Sequence, residues 1–111
     1  MEIIFASSRI ARELNSEKGL KRYPEKIRNI IKNRLAQIQA AESLNDLFVH
    51  PFVPRMNLHK LEGGDDLYAI NVSDQLRMIL RPVIQSPDSE SLENPCTIHC
   101  VEIVEAAIDY H

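Results

Sequence analysis

The feature that most limits the fold is a long amphipathic segment, YPEKIRNIIKNRLAQIQAA, which covers residues 23–41. Pro24 suits the first position of a helix, because its φ angle is already helical and no N–H is needed there. The apolar residues recur at three- and four-residue spacing and therefore share one stripe: Ile27, Ile30, Ile31, Leu35 and Ile38. A helix with such a stripe needs an apolar layer against it, and we expect the rest of the chain to supply a sheet.

Two segments in the second half of the chain, LYAINV and LRMILRP, alternate with the period of two that is typical of half-buried strands. The short polar turn SDQ joins them, so the pattern predicts a hairpin. In the first of these strands one side carries Tyr68, Ile70 and Val72 and the other carries Leu67, Ala69 and Asn71. In the second of these strands Arg77, Ile79 and Arg81 share one face, and Leu76, Met78 and Leu80 share the other.

The remaining segments complete a single domain over residues 1–111. In the first half they are a first strand in EIIFAS, a helix over RIARELNSEKGL capped by Ser7 or Ser8, and a short helical or turn-like piece in SLNDLF. A strand in MNLHKL and a turn at EGGDD follow. In the last part of the chain, a long mobile hairpin loop over residues 85–95 precedes a last strand in CTIHCVEIVEA. This order predicts an α+β fold, in which an N-terminal strand and two helices pack on one face of a small antiparallel sheet. The other face stays open to solvent or to a ligand.

The charge is divided unevenly along the chain. The formal net charge is −3, yet residues 1–41 hold nine Lys/Arg against four Asp/Glu, and residues 42–111 hold four against twelve. A basic helical half is compatible with phosphate binding or with an acidic partner, and also with an ordinary solvated helix surface.

The composition favours a soluble protein of the cytoplasm. No window approaches the roughly 18 uninterrupted apolar residues that a membrane span needs. The opening MEIIFASSRIARE lacks the basic region and the apolar core of a signal peptide, so we expect no export.

The two cysteines lie close together in CTIHC, where we expect free thiols. Four residues of strand span about 13 Å, and a disulfide requires a Cα separation below about 7 Å. Cys96, His99 and Cys100 are ligand types of a zinc site. Because His99 and Cys100 point to opposite faces of a strand, we predict no metal here.

Several stretches, taken in order, resemble the RelE/ParE superfamily of bacterial toxins, and they look most like its HigB (plasmid killer) branch. The stretches are AAESLNDL, LHKLEGG, LYAINVSDQLRMIL and the ending VEIVEAAIDYH. The resemblance runs from about residue 20 to residue 111, and MEIIFASS fits as a first strand. It implies a RelE-like fold and a toxin that cleaves messenger RNA in the A site of a translating ribosome, without a metal or an organic cofactor. It also implies a small helix-turn-helix antitoxin partner, HigA-like in kind.

RNA cleavage of this type needs a base for the 2′-hydroxyl, an acid for the leaving 5′-oxygen and cations for the charged transition state. Histidine suits both proton roles, and arginine binds phosphate oxygens in pairs. In the resemblance His59 shares the acid–base work with His111 or Asp109, Arg77 binds the scissile phosphate, and Tyr110 stacks on a base or orients a proton carrier. The predicted catalytic set is therefore His59, Arg77, Asp109, Tyr110 and His111.

The predicted contacts to RNA phosphates are Arg77, Arg81 and Arg34. Arg81 shares the face of Arg77 by alternation. Arg34 falls among the isoleucines of the helical stripe, where it snorkels, pairs with a carboxylate or reaches toward a site on the sheet. A plainer interpretation of Arg77 is an ion pair with Glu102 or Asp109 across the sheet.

The chain departs from the family pattern in its charge. The turn EGGDD is one residue shorter than is usual in the family, and it carries Glu62 and Asp65 where cations would stand. An acidic sheet half also weakens the counterion release that drives RNA binding. Three functions stay open: a ribosome-dependent mRNA endonuclease, a ParE-like non-catalytic toxin that binds DNA gyrase, and a degenerate toxin that keeps only antitoxin binding. The presence of His59 together with the Asp-Tyr-His ending favours the first.

Overall fold

A computed structural model describes residues 1–49, 57–63 and 66–109 of the chain. Within these residues the protein is α+β, with four α-helices and a five-stranded sheet. In chain order the elements are β1 (Glu2–Phe5), α1 (Ser8–Leu14), α2 (Glu17–Leu20), α3 (Glu25–Ala40), α4 (Leu44–Val49), β2 (His59–Lys60), β3 (Tyr68–Asn71), β4 (Leu76–Pro82), a 3-10 turn (Pro95–Thr97) and β5 (Cys100–Asp109). None of the helices in this part of the chain has the length and hydropathy that a membrane crossing requires.

The sheet is mixed, with strand order β1-β5-β4-β3-β2. Strands β2 to β5 pair in antiparallel fashion, whereas β1 runs parallel to β5, with Glu2 beside Cys100 and Phe5 beside Ile103. The prediction of an antiparallel sheet is therefore wrong for β1. The helices and strands between β1 and β5 form a connection long enough to bring β5 alongside β1 in the same direction, which a short hairpin turn cannot do.

One apolar cluster joins the helices to one face of the sheet. Met78 and Leu80 of β4 are fully buried in it, and Ile70 of β3 lies opposite Met78. The predicted stripe of α3 packs into the same cluster, through Ile27, Ile30, Ile31, Leu35 and Ile38. The predicted bounds of β4 are confirmed, and of its two alternating sides the one with Met78 and Leu80 faces the core.

The predicted first helix is broken into α1 and α2. The hydroxyl oxygen of Ser16 accepts a hydrogen bond from the backbone N–H of Gly19 at 2.9 Å and so begins a new helix. The cap of α1 is Ser7, whose hydroxyl oxygen accepts from the N–H of Ile10 at 3.2 Å. The two helices meet so closely that a Cβ placed on Gly19 would lie 2.2 Å from the carbonyl oxygen of Arg12.

The last strand begins at Cys100, four residues later than predicted. Pro95 opens a 3-10 turn, which Asn94 caps through a 3.2 Å hydrogen bond from the N–H of Cys96 to its Oδ1. Cys96 therefore lies outside the strand and is exposed, whereas Cys100 is buried, and both thiols are free. The predicted hairpin loop, residues 85–95, does connect two antiparallel strands, and it contains turns closed by its own backbone hydrogen bonds.

Replacing Gly19 by alanine should destabilise the fold, because the added methyl group meets the backbone of α1. Overpacking of this kind costs about 1–3 kcal/mol of unfolding free energy. Urea denaturation followed by circular dichroism measures the loss. Asn33→Ala, on the exposed side of α3, is the control, and we expect a change below about 0.5 kcal/mol there. Equal stabilities of the two variants would contradict the close approach of α1 and α2.

The two cysteines should differ sharply in reactivity toward a thiol reagent at neutral pH. Burial raises the pKa of the Cys100 thiol, which lowers its thiolate fraction and adds to its inaccessibility. We expect one thiol, Cys96, to react rapidly in the native protein and the second to react only after unfolding in urea. Two fast thiols, or none, would contradict the described positions.

Candidate functional site

The strand register places His59 and Arg77 on the same face of the sheet. His59 pairs with Ala69, which in turn pairs with Ile79, and Arg77 lies two residues from Ile79 on β4. Since Ile70, between Ala69 and Asn71, faces the helices, these residues face the other way. We call this side the His59 face. His59 and Arg77 are separated by two strand spacings across the sheet and by two residues along the strands, so their Cα atoms lie about 12 Å apart.

The imidazole of His59 is held by the backbone next to it. Its Nδ1 lies 2.8 Å from the carbonyl oxygen of Asn57, a residue in the left-handed region with φ 48°. A carbonyl can only accept, so Nδ1 carries the hydrogen and donates it. In the neutral ring this assigns the lone pair to Nε2, the form that a general base requires.

The guanidinium of Arg77 is anchored on one side. Its Nη1 donates to the carbonyl oxygens of Ser73 at 2.7 Å and Leu76 at 3.0 Å, in the turn between β3 and β4. Within the described residues, Nη1 is the only nitrogen of this guanidinium that donates a hydrogen bond. The edge formed by Nε and Nη2 has the geometry that binds two oxygens of a phosphate. Neither Glu102 nor Asp109 pairs with Arg77 in this part of the chain.

Arg81 is tied to a carboxylate. It lies directly opposite Glu102 on β5, and its Nη1 donates to Glu102 Oε1 at 3.1 Å. Arg81 shares the His59 face with Arg77, as alternation indicated. Its charge is offset by Glu102, which reduces the positive potential that this face offers to a phosphate.

Arg34 reaches the sheet from the side of the helices. Its Nε donates to the carbonyl oxygen of Asn71 at 2.8 Å, and its Nη1 donates to Gln37 Oε1 at 3.2 Å. Burial lowers the pKa of Arg34 from its usual value. Of the three possibilities open from sequence, Arg34 therefore reaches toward the sheet, where it binds backbone at the end of β3. It lies on the opposite side of the sheet from the Arg77 guanidinium.

The register separates Asp109 from the pair on the His59 face. Asp109 pairs with Leu76, whose side chain packs against the core, so alternation places Asp109 on the helix side. Arg77 instead lies opposite Ile108. The other two predicted site residues, Tyr110 and His111, lie outside the described residues.

Asn71 belongs to the same arrangement, and sequence reasoning did not select it. It lies directly opposite Arg77 and diagonally across from His59, with Cα atoms about 7–8 Å apart across such a diagonal. Its Oδ1 is buried and has no hydrogen-bond partner among the described residues, which is unusual for a buried amide. The alternation of β3 grouped Asn71 with Leu67 and Ala69 but did not relate it to His59 or Arg77, and an asparagine beside a turn suggests only turn formation.

The His59 face therefore combines an imidazole bound to backbone through Nδ1, a half-anchored guanidinium and an amide. The side chains of Ala69 and Ile79 lie on the same face and are buried. In the described part of the chain, no three His, Cys, Asp or Glu side chains lie close enough together to hold a metal ion.

Comparison with family models, curated proteins and solved structures found no match for this chain.

Removing the guanidinium of Arg34 should destabilise the fold. In Arg34→Met the carbonyl of Asn71 loses a charged donor, and we expect the free energy of unfolding to fall by about 1–3 kcal/mol. Lys32→Met, two residues earlier on α3, breaks only a surface ion pair with Glu17 and should cost less than about 1 kcal/mol. Urea unfolding measures both variants. If Arg34→Met is no less stable than Lys32→Met, the contact with Asn71 is not holding the turn.

Proposed function

We propose that this chain is the toxin of a type II toxin–antitoxin system, a ribosome-dependent endonuclease that cleaves messenger RNA. One observation carries the proposal: His59, with its Nε2 lone pair assigned by the bond to Asn57, shares a sheet face with the anchored guanidinium of Arg77. The sequence resemblance to the HigB branch of the RelE/ParE superfamily supports it, and a RelE-like arrangement of the α+β fold is part of the proposal.

In the proposed reaction Nε2 of His59 removes the proton of the ribose 2′-hydroxyl. The 2′-oxygen then attacks the adjacent phosphorus, and the free edge of Arg77 binds the two non-bridging oxygens as their charge grows. The bond from phosphorus to the 5′-oxygen breaks, and an acid protonates that oxygen. The resemblance gives this last role to His111 or Asp109; because Asp109 lies on the helix side of the sheet, the proposal assigns the role to His111, with Tyr110 stacking on a base. The products are a 2′,3′-cyclic phosphate and a 5′-hydroxyl.

The proposal includes the setting of the reaction. The substrate is messenger RNA on the ribosome, in the cytoplasm, and a HigA-like helix-turn-helix antitoxin neutralises the toxin. The residues named supply the base and the phosphate contact from the chain itself, so the proposed reaction requires no organic cofactor.

A second candidate is a toxin-like protein that binds partners without cutting RNA. It would be either a gyrase poison or a degenerate toxin that keeps only antitoxin binding. The ion pair of Arg81 with Glu102 favours it, because a nuclease gains from an unpaired cation beside its phosphate contact. Residues 42–111 contain twelve acidic and four basic residues, and this negative charge also favours the second candidate because it opposes RNA binding.

Cleavage of messenger RNA by the purified protein, with and without programmed ribosomes, tests the nuclease proposal. We expect His59→Ala to slow cutting at least about 100-fold, the low end of what a general base contributes. His99→Ala is a matched control, because the Nδ1 of His99 likewise lies 2.9 Å from a backbone carbonyl, that of Glu42, at the far end of β5. This control should cut at the rate of the unmodified protein. A variant lacking residues 109–111 should be inactive.

Two results would reject the nuclease. One is the absence of cutting by the unmodified protein, with its fold verified by circular dichroism. The other is an equal loss in His59→Ala and His99→Ala, which would indicate a general structural effect. Gyrase inhibition and antitoxin binding then become the assays for the second candidate.

A further inference from the structure

A basic groove lies between α1 and α2, and none of its lining residues belongs to the His59 face. It is a shallow groove, widely open to solvent, with a volume of about 680 Å³. Four cations line it, two from α1 and two from or just after α2: Arg9, Arg12, Lys18 and Arg22. Its floor is formed where Gly19 approaches α1, and the single acidic residue in its lining is Glu13.

Glu13 fixes two of the cations at the rim. Its side chain is buried, with the residue only 7% exposed. Its Oε1 accepts from Arg9 at 3.2 Å and from Arg22, and its Oε2 accepts from the hydroxyl of Tyr23 at 3.4 Å. Burial raises the pKa of the Tyr23 hydroxyl, which keeps it a donor. A single buried carboxylate therefore holds two guanidiniums side by side, so less side-chain entropy is lost when they bind an anion.

The other two cations are exposed to solvent. Lys18 makes no ion pair within the described residues, and Arg12 uses only its Nε, which donates to the carbonyl oxygen of Ser8 at 3.3 Å. Four cations face Glu13 and, through Arg9, Glu105, so the groove keeps a net positive charge on a chain whose net charge is −3. Charge complementarity therefore selects a polyanion as the occupant.

We propose that this groove binds the phosphodiester backbone of RNA without regard to sequence. The inference rests on the proposed function, which names RNA as the substrate. The groove connects with the His59 face through β5, and this connection favours RNA over an acidic protein segment as its occupant. Arg9 Nη2 lies 3.7 Å from Glu105 of β5, and Glu105 lies opposite Ile79, in the row next to Arg77. One RNA strand held by Arg77 can thus cross the edge of β5 and continue into the groove.

Binding of a fluorescent 2′-O-methyl RNA, followed by anisotropy over a range of salt concentrations, tests the groove. This RNA has no 2′-hydroxyl and cannot be cut by the proposed reaction. Lys18→Glu should weaken binding about five- to tenfold and lower the slope of log affinity against log salt by about one, as for the loss of one phosphate contact. Lys26→Glu, the same change at an exposed position of α3, should weaken binding less than about twofold.

Three outcomes would overturn the groove as an RNA site: no RNA binding by the unmodified protein, equal losses in Lys18→Glu and Lys26→Glu, or Lys18-dependent binding of an oligoglutamate peptide in place of RNA. The third would assign the groove to an acidic protein partner. Failure of the proposed function has a different signature. Lys18-dependent RNA binding by a protein that cuts nothing on ribosomes rejects the nuclease and keeps the groove, whereas cutting without a Lys18 effect on binding rejects only the groove.

Discussion

The pairing of β4 with strands on both sides is the constraint on which the rest of the molecule depends. Its alternation sends Met78 and Leu80 into the core and Arg77 to the opposite face. A slip of one residue would exchange these faces and bury a guanidinium without a partner, so the apolar pattern fixes the register firmly. The position of every group on the His59 face follows from that register.

Irregularities in the pairing of β4 with β5 change what lies beside the site. The register shifts twice, between Arg77 and Ile79 and again between Ile79 and Leu80. Bulges of this kind bend a strand and redirect its side chains. As a result Arg77 lies opposite Ile108, and Asp109 lies opposite a core residue. Two arginines then hold the β3–β4 turn from opposite sides of the sheet, Arg34 at the carbonyl of Asn71 and Arg77 at two carbonyls of the turn.

The sequence predicted well the elements whose pattern is long and regular. The stripe of α3 and the alternation of β4 each repeat over several residues, so a single period explains them. The direction of β1, the break before Ser16 and the late start of β5 depend on contacts or caps that periodicity does not contain. For the same reason only the family resemblance joined His59 and Arg77 before the register was known, and no pattern could predict the Asn57 carbonyl that assigns the tautomer or the separation of Asp109.

The chemical nature of the RNA ends produced on the ribosome tests the central claim most directly. If His59 activates the ribose 2′-hydroxyl and Arg77 binds the phosphate, every cut must leave a 2′,3′-cyclic phosphate, or its hydrolysis product, and a 5′-hydroxyl. Enzymatic end-labelling and mass spectrometry of the fragments distinguish these ends from the alternatives. Fragments with a 5′-phosphate and a 3′-hydroxyl would show that water is the nucleophile, and they would contradict the role assigned to His59.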